Sequence, residues 1–184
     1  MGRMKDQGYG TTARLFHWVT ALLVFVMIPV GIAMTSEGFD GIRDELYIVH
    51  KGTGATLLVL VLLRVAWRLV RPAPPMPDSV PPMQRKLAGL NHWVLYLLLV
   101  VMTVSGYVRT VGDGFPIEWM DFLGVPTLLP EMPEVAGIMS VVHKFSVYAL
   151  MAFIGAHIAA ASYHGLIARD GVLGRMWPPV RRKN

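Results

Sequence analysis

The chain has 184 residues, of which 54% are hydrophobic and only 16% charged, a balance far from that of soluble globular domains. A mean hydropathy of +0.49 points to lipid, and the absence of cysteine excludes disulfides, thiolate metal sites, iron–sulfur clusters and c-type haem attachment. The formal net charge of +5 is a topology signal and not a nucleic-acid signal, because Arg181, Arg182 and Lys183 form too short a basic run.

In chain order, the first charge-poor window predicts a transmembrane helix over about 14–36. It is longer than a signal-peptide h-region and no clear small-residue cleavage site follows, so a retained helix is expected. A second helix is expected over 46–70, where Lys51, Arg64 and Arg68 lie near the ends and their long side chains can reach the interface. The Pro-rich stretch Arg71 to Pro82 then reads as a stiff connector. A third helix follows over 87–109. The connection 110–137 carries Phe115, Trp119 and Phe122 among prolines and acids, suited to the headgroup interface and with room for a short helix. A fourth helix is expected over 138–168. Each window can cross a hydrocarbon core that needs roughly 20 helical residues. The expected fold is therefore all-α, an integral membrane four-helix bundle, with residues 1–184 forming a single membrane domain.

Basic residues in short loops favour the cytoplasmic side. The N-terminal tail, the 71–86 loop, the C-terminal tail and the nearby Arg64 and Arg68 hold 13 Lys or Arg against three acids, whereas the opposite side holds four against nine. Both termini are expected to be cytoplasmic, and the 37–45 and 110–137 connections outside.

Ionisable groups are scarce within the spans, so candidate chemistry rests on the six histidines. On this topology His17 is near the inner end of helix 1, His50 near the outer end of helix 2, and His92 starts helix 3 on the inner side. On helix 4, His157 lies about 21 Å deeper than His143 and His164 about 10 Å beyond that, and the three share one stripe at about 100° per residue. Matching depths pairs His50 with His143 and His17 with His157. Each pair joins two helices, as bis-imidazole ligation of a haem in a bundle core requires. A haem iron and a second-shell acceptor together also satisfy a histidine buried in lipid. His92 and His164 remain as candidates for a quinone site on the inner half, bonding a carbonyl and passing protons; as interfacial histidines they need no special role. Gly52, Gly54 and Gly155 give room for a flat macrocycle or simply for close helix packing. Met27, Met34, Met102 and Met151 read as core packing. Arg64, Arg68 and Arg71 share a face of helix 2, suited to haem propionates or lipid phosphates.

The strings Arg14-Leu-Phe-His17-Trp18, Val49-His50-Lys51-Gly52, Leu90-Asn-His92-Trp-Val-Leu-Tyr96, Val142-His143-Lys144 and Gly155-Ala-His157 through His164 resemble the bacterial cytochrome b561 family. The likeness extends to Arg71-Pro-Ala-Pro-Pro75 and Arg175-Met-Trp-Pro178 and so covers nearly the whole chain. The resemblance implies a multi-pass protein of the bacterial inner membrane with two b haems. Their ligands would be His17, His50, His143 and His157, with ubiquinone bound near His164. One activity in that family is superoxide oxidation, with electrons delivered to quinone. An anionic donor calls for positive potential; Lys51 and Lys144 beside the outer histidines, with Arg43 and Arg109, offer it inside an acidic surround. Two other classes stay open: a cytochrome subunit relaying electrons between quinone and a redox protein partner, and a haem-free transporter or structural membrane protein whose histidines only pack.

Overall fold

The computed structural model describes residues 8–177, which are helical with no strand among them. Four long helices form the bundle: α1 (Thr11–Ala33), α2 (Arg43–Val70), α3 (Pro82–Gly112) and, after the short α4 (Glu118–Phe122), α5 (Pro133–Ser162). α5 runs on into a π-helical turn, Tyr163–Ala168. All four are long and apolar enough to cross a membrane. The shortest, α1, has 23 residues, or about 34 Å against a hydrocarbon core of about 30 Å. Large apolar side chains such as Leu22, Phe25, Leu62 and Leu97 face outward. In water such a surface would drive aggregation, whereas in a bilayer it is the lipid contact.

Each helix begins before its charge-poor window, because charged and proline residues also make good first turns. Asp44 and Glu45 occupy the first turn of α2, where carboxylates complement the helix dipole. Pro82 and Pro133 open α3 and α5, where the missing N–H costs nothing. α1 ends at Ala33 rather than near residue 36, and a turn follows with Gly38 at φ 92°, a conformation that favours glycine.

α1 packs on α2, α2 on α3, and α3 on α5; α5 has no comparably close backbone packing with α1 or α2. The central core is Val24, Leu57, Val61, Leu99 and Leu150. Buried hydroxyls are satisfied within their own helices: Thr20 donates to Phe16 O at 2.6 Å and Thr103 to Leu99 O at 2.9 Å, which makes them tolerable in an apolar bundle.

The first and last described residues meet at one end of the bundle, the terminal end. Arg14 donates to the carbonyls of Tyr9 and Gly174, and Trp18 Nε1 donates to Met176 O at 3.0 Å. Arg175 donates to Pro74 O at 2.6 Å and Pro75 O at 2.8 Å. The proline connector therefore does more than space two helices. Its carbonyls, which no proline N–H can bond locally, receive the guanidinium fork.

At the opposite loop end, α4 folds back onto α2. Ile117 and Met120 pack with Ala55 and Val111, and Trp119 Nε1 donates to Gly52 O at 2.9 Å. Part of this connection is thus bundle core, while Phe122 and Leu128 remain 88% and 82% exposed, as an interfacial segment would be.

Candidate functional site

The histidines gather at two levels. Near the loop end, His50 of α2 and His143 of α5 have ring centroids 6.2 Å apart. Toward the terminal end, His17 of α1 and His157 of α5 are 6.1 Å apart. The near-equality of two unrelated cross-helix spacings is informative. With metal–nitrogen bonds of about 2 Å on either side, two imidazoles sharing one iron have centroids roughly 6 Å apart. These pairs lie across the bundle where α5 stands off from α1 and α2, which suits a flat group edged between helices.

The surroundings of the loop-end pair are specific. His143 Nδ1 lies 2.9 Å from Met102 O. A carbonyl only accepts, so Nδ1 carries the proton and Nε2 keeps its lone pair, the tautomer a metal needs. Ser105 lies beside the same nitrogen at 3.3 Å. Two glycines make room for the rings: a Cβ on Gly31 would stand 2.9 Å from His50 Cε1, and one on Gly106 2.9 Å from His143 Cε1. Pro29, two residues before His50's neighbour Gly31 in α1, leaves the Phe25 carbonyl without its usual helical donor. His50 Nδ1 is one of two buried side-chain N/O atoms among the described residues without a hydrogen-bond partner. Buried polar nitrogens need a partner, and a metal bound at Nδ1 itself would be one.

The terminal-end pair has a third neighbour. His92 of α3 lies 5.2 Å from His157, closer than either cross-helix pair. Arg64 donates to His17 Nδ1 at 3.1 Å and stacks over Tyr96. An accepting Nδ1 puts the His17 proton on Nε2, so ligation through Nε2 requires Arg64 to release this nitrogen. Arg64 acts electrostatically on His17, His92 and His157, as Arg109 does on His50 and His143. Each level thus has a guanidinium in range of its imidazoles, suited to the carboxylates of a haem. Together these features fit a haem at the His50–His143 level, and at the His17–His157 level once Arg64 turns away from His17 Nδ1. Arg64, Arg68 and Arg71 line one cleft with Tyr9, Trp67 and Tyr96, in keeping with their expected common face.

His164 is the second residue of the π-helical turn Tyr163–Ala168 that continues α5. His164 is buried, and its Nδ1 lies 2.5 Å from Asp170 Oδ2. His92 and His164, grouped by depth, have separate partners: His157 for one, Asp170 for the other.

Other expectations are amended. Lys51, expected to make the outer entrance basic, bonds Glu118 Oε1 at 2.6 Å, and Arg43 is paired with Asp40. Burial opposes ionisation of Glu118, but the hydrogen bond and charge of Lys51 hold its carboxyl below its ordinary value. Gly52 makes room for Trp119, whose ring a Cβ would approach to 2.9 Å, whereas Gly155, two residues before His157, has nothing within 4 Å of that position. Met27 and Met34 are core residues, but Met151 is 43% exposed on the bundle surface.

The family described as prokaryotic cytochrome b561 matches residues 8–179. Cytochrome b561 homolog 2 of Escherichia coli (strain K12) is 33% identical over 169 residues, 91% of this chain and 90% of that protein. Probable superoxide oxidase CybB of Yersinia pestis is 29% identical over 171 residues, 90% and 93% of the two chains. Cytochrome b562 of Cereibacter sphaeroides is 25% identical over 181 residues, 95% and 98%. The chain belongs to the prokaryotic cytochrome b561 family: it is a multi-pass bacterial membrane cytochrome of the b type, an oxidoreductase that transfers electrons.

Proposed function

We propose that this cytochrome holds two b haems, one on His50 and His143 and one on His17 and His157, and carries electrons across the bacterial inner membrane to ubiquinone. The matched centroid spacings of 6.2 and 6.1 Å carry this reading. When bound, haem supplies reversible one-electron chemistry. The chain supplies the rest. Four imidazoles ligate, Met102 O fixes the tautomer of His143, Arg109 and Arg64 balance negative charge, and the apolar bundle excludes water. The basic bias of the terminal end supports a cytoplasmic location for both termini; on that orientation the His50–His143 level faces out and the quinone site lies inward, beside His164 and His92.

The donor acts from outside. The name of the Yersinia pestis relative brings superoxide forward, and with it a superoxide:ubiquinone oxidoreductase activity. Arg109 is the cation whose charge reaches both outer imidazoles. A second reading, an electron relay from a basic redox protein partner, is favoured by the acidic outer loops and by the neutralisation of Lys51 and Arg43, which removes two charges that would steer an anion.

The test is a reduced-minus-oxidised spectrum with quantified haem on the purified protein. Two haems per chain are expected, falling to one in His50→Ala and in His157→Ala; unchanged stoichiometry in those variants overturns the ligand assignment. Stopped-flow mixing with superoxide then separates the donors. Haem reduction no faster than by a neutral donor selects the protein relay.

A further inference from the structure

The His164–Asp170 pair lies in an unusual stretch of backbone. α5 gives way to the π-helical turn, Arg169 adopts a left-handed conformation (φ 50°, ψ 37°), and Gly171 follows at φ 83°. Two left-handed residues around Asp170 reverse the chain, and a non-glycine residue in this region is held there by its surroundings. Leu173 closes the reversal against Gly165, where a Cβ would come within 2.4 Å of Leu173 Cδ2. The outcome is a carboxylate brought back onto the histidine six residues before it. The two side chains are only 10% and 13% exposed. Asp170 uses both oxygens: Oδ2 accepts from His164 Nδ1 at 2.5 Å, and Oδ1 accepts from Val172 N at 3.1 Å. Burial opposes its ionisation, but the hydrogen bonds from His164 and Val172 hold its carboxyl below its ordinary value.

We infer that Asp170 is a positioning residue for proton delivery to the quinone. It holds the Nδ1 proton of His164 in place so that Nε2 alone exchanges protons between cytoplasmic water and a quinone carbonyl oxygen. This rests on the quinone reading given above. An ionised carboxylate only accepts, so the neutral imidazole has a single tautomer, with its lone pair on Nε2. A carboxylate behind a proton-transferring imidazole plays the same part in hydrolytic triads, where it orients the ring without itself being protonated. The stoichiometry is that of quinone reduction. Two electrons would be needed, one from each of two ferrous haems that become ferric, and two protons would come from cytoplasmic water. Two O–H bonds form on the former carbonyl oxygens, one of them with the proton passed by Nε2, and the other takes its proton from water on the same side. His164 then returns to its starting tautomer.

Asp170→Asn tests this, because the amide preserves size and a hydrogen bond but can also donate to Nδ1 and so scramble the tautomer. The holoprotein is prereduced with dithionite, freed of excess reductant, and its haem reoxidation is followed after mixing with decylubiquinone or with ferricyanide, which takes electrons without protons. Asp170→Asn is expected to slow reoxidation by decylubiquinone about tenfold or more, within the range of positioned proton transfer, with ferricyanide reoxidation and haem content unchanged. Asp170→Glu should restore most of the quinone rate. Equal loss with both oxidants, or no rescue by glutamate, marks a structural strut and overturns the inference. A normal quinone rate in Asp170→Asn also overturns it, while the quinone reading stands. Failure of decylubiquinone to reoxidise the unaltered protein overturns both.

Discussion

Gly106→Ala probes the outer site through a residue that ligates nothing. The added Cβ would stand 2.9 Å from His143 Cε1 and 3.2 Å from Nδ1, whereas unstrained carbon contacts lie at about 3.5–4.0 Å. Gly106 sits in the regular backbone of α3, so the ring must retreat, by roughly 0.6–1 Å. The Nδ1–Met102 O bond, now 2.9 Å, then stretches beyond the usual limit of about 3.2 Å. Loss of such a partner costs about 10–100-fold in metal affinity, equivalent to about 1.4–2.7 kcal/mol. Helix propensity acts in the opposite direction, since alanine in a helix is favoured over glycine by about 1 kcal/mol. Gly137→Ala, in α5 with nothing within 4 Å of the new Cβ, isolates that effect. The assay is haem per chain, with a potentiometric titration that resolves the two sites. Gly106→Ala should lose outer-site haem and keep the inner, while Gly137→Ala keeps both. Full occupancy with unaltered potentials in Gly106→Ala would refute the assigned role of His143 and its support by α3.

Lys51→Ala should destabilise the loop end by about 1–3 kcal/mol, because it leaves the Glu118 carboxylate half-buried with Oε2 already lacking a partner; thermal unfolding in detergent measures this, and an unchanged transition would contradict it. Acid acts on the same pair. The carboxyl of Glu118 is held below its ordinary value, so its contribution is complete above the ordinary carboxylate range and disappears as pH falls through the lowered value. Trp119 fluorescence should report the loss of α4 docking there and nowhere nearer neutrality. Arg175→Lys replaces a fork by a point charge and should expose the 71–81 connector to protease at the terminal end; equal cleavage rates would show that the Pro74 and Pro75 carbonyls are not held by this side chain.

The long helices were legible because crossing a bilayer demands a long charge-poor window. Their ends were not, because Asp44, Glu45, Pro82 and Pro133 look like loop residues and are good helix starters. Depth along a helix axis follows from residue number, so the partnerships His50–His143 and His17–His157 could be matched by level. Lateral neighbours do not follow from residue number. The approach of His92 to His157, the glycine facing each outer imidazole and the Lys51–Glu118 pair all depend on how helices distant in sequence are rotated about their axes. The His164–Asp170 pair was hidden for a different reason. A separation of six residues puts two side chains on different faces of an α-helix, and only the π turn and left-handed reversal bring them together.

The division of labour among the helices has a consequence for how the two levels respond to damage. α5 supplies one histidine to each level, 14 residues apart by number and about 21 Å apart along the axis, and α3 backs it throughout. The α3–α5 seam is close at the loop end, where a Cβ on Gly112 would lie 3.1 Å from Ala136 Cβ and 3.3 Å from Met132 O, and Met132 N donates to Gly112 O at 2.8 Å. Gly112→Val therefore wedges α5 away from α3 near His143, but at the far end from His157. A rigid helix pivoting on its inner contacts moves its outer histidine most. The variant should lose outer-site haem first and retain inner-site haem and its potential, read by the same potentiometric titration. Loss of the inner site first, or of both in equal proportion, would mean that α5 slides or melts as a unit, and the assignment of separate supports to the two levels would fail.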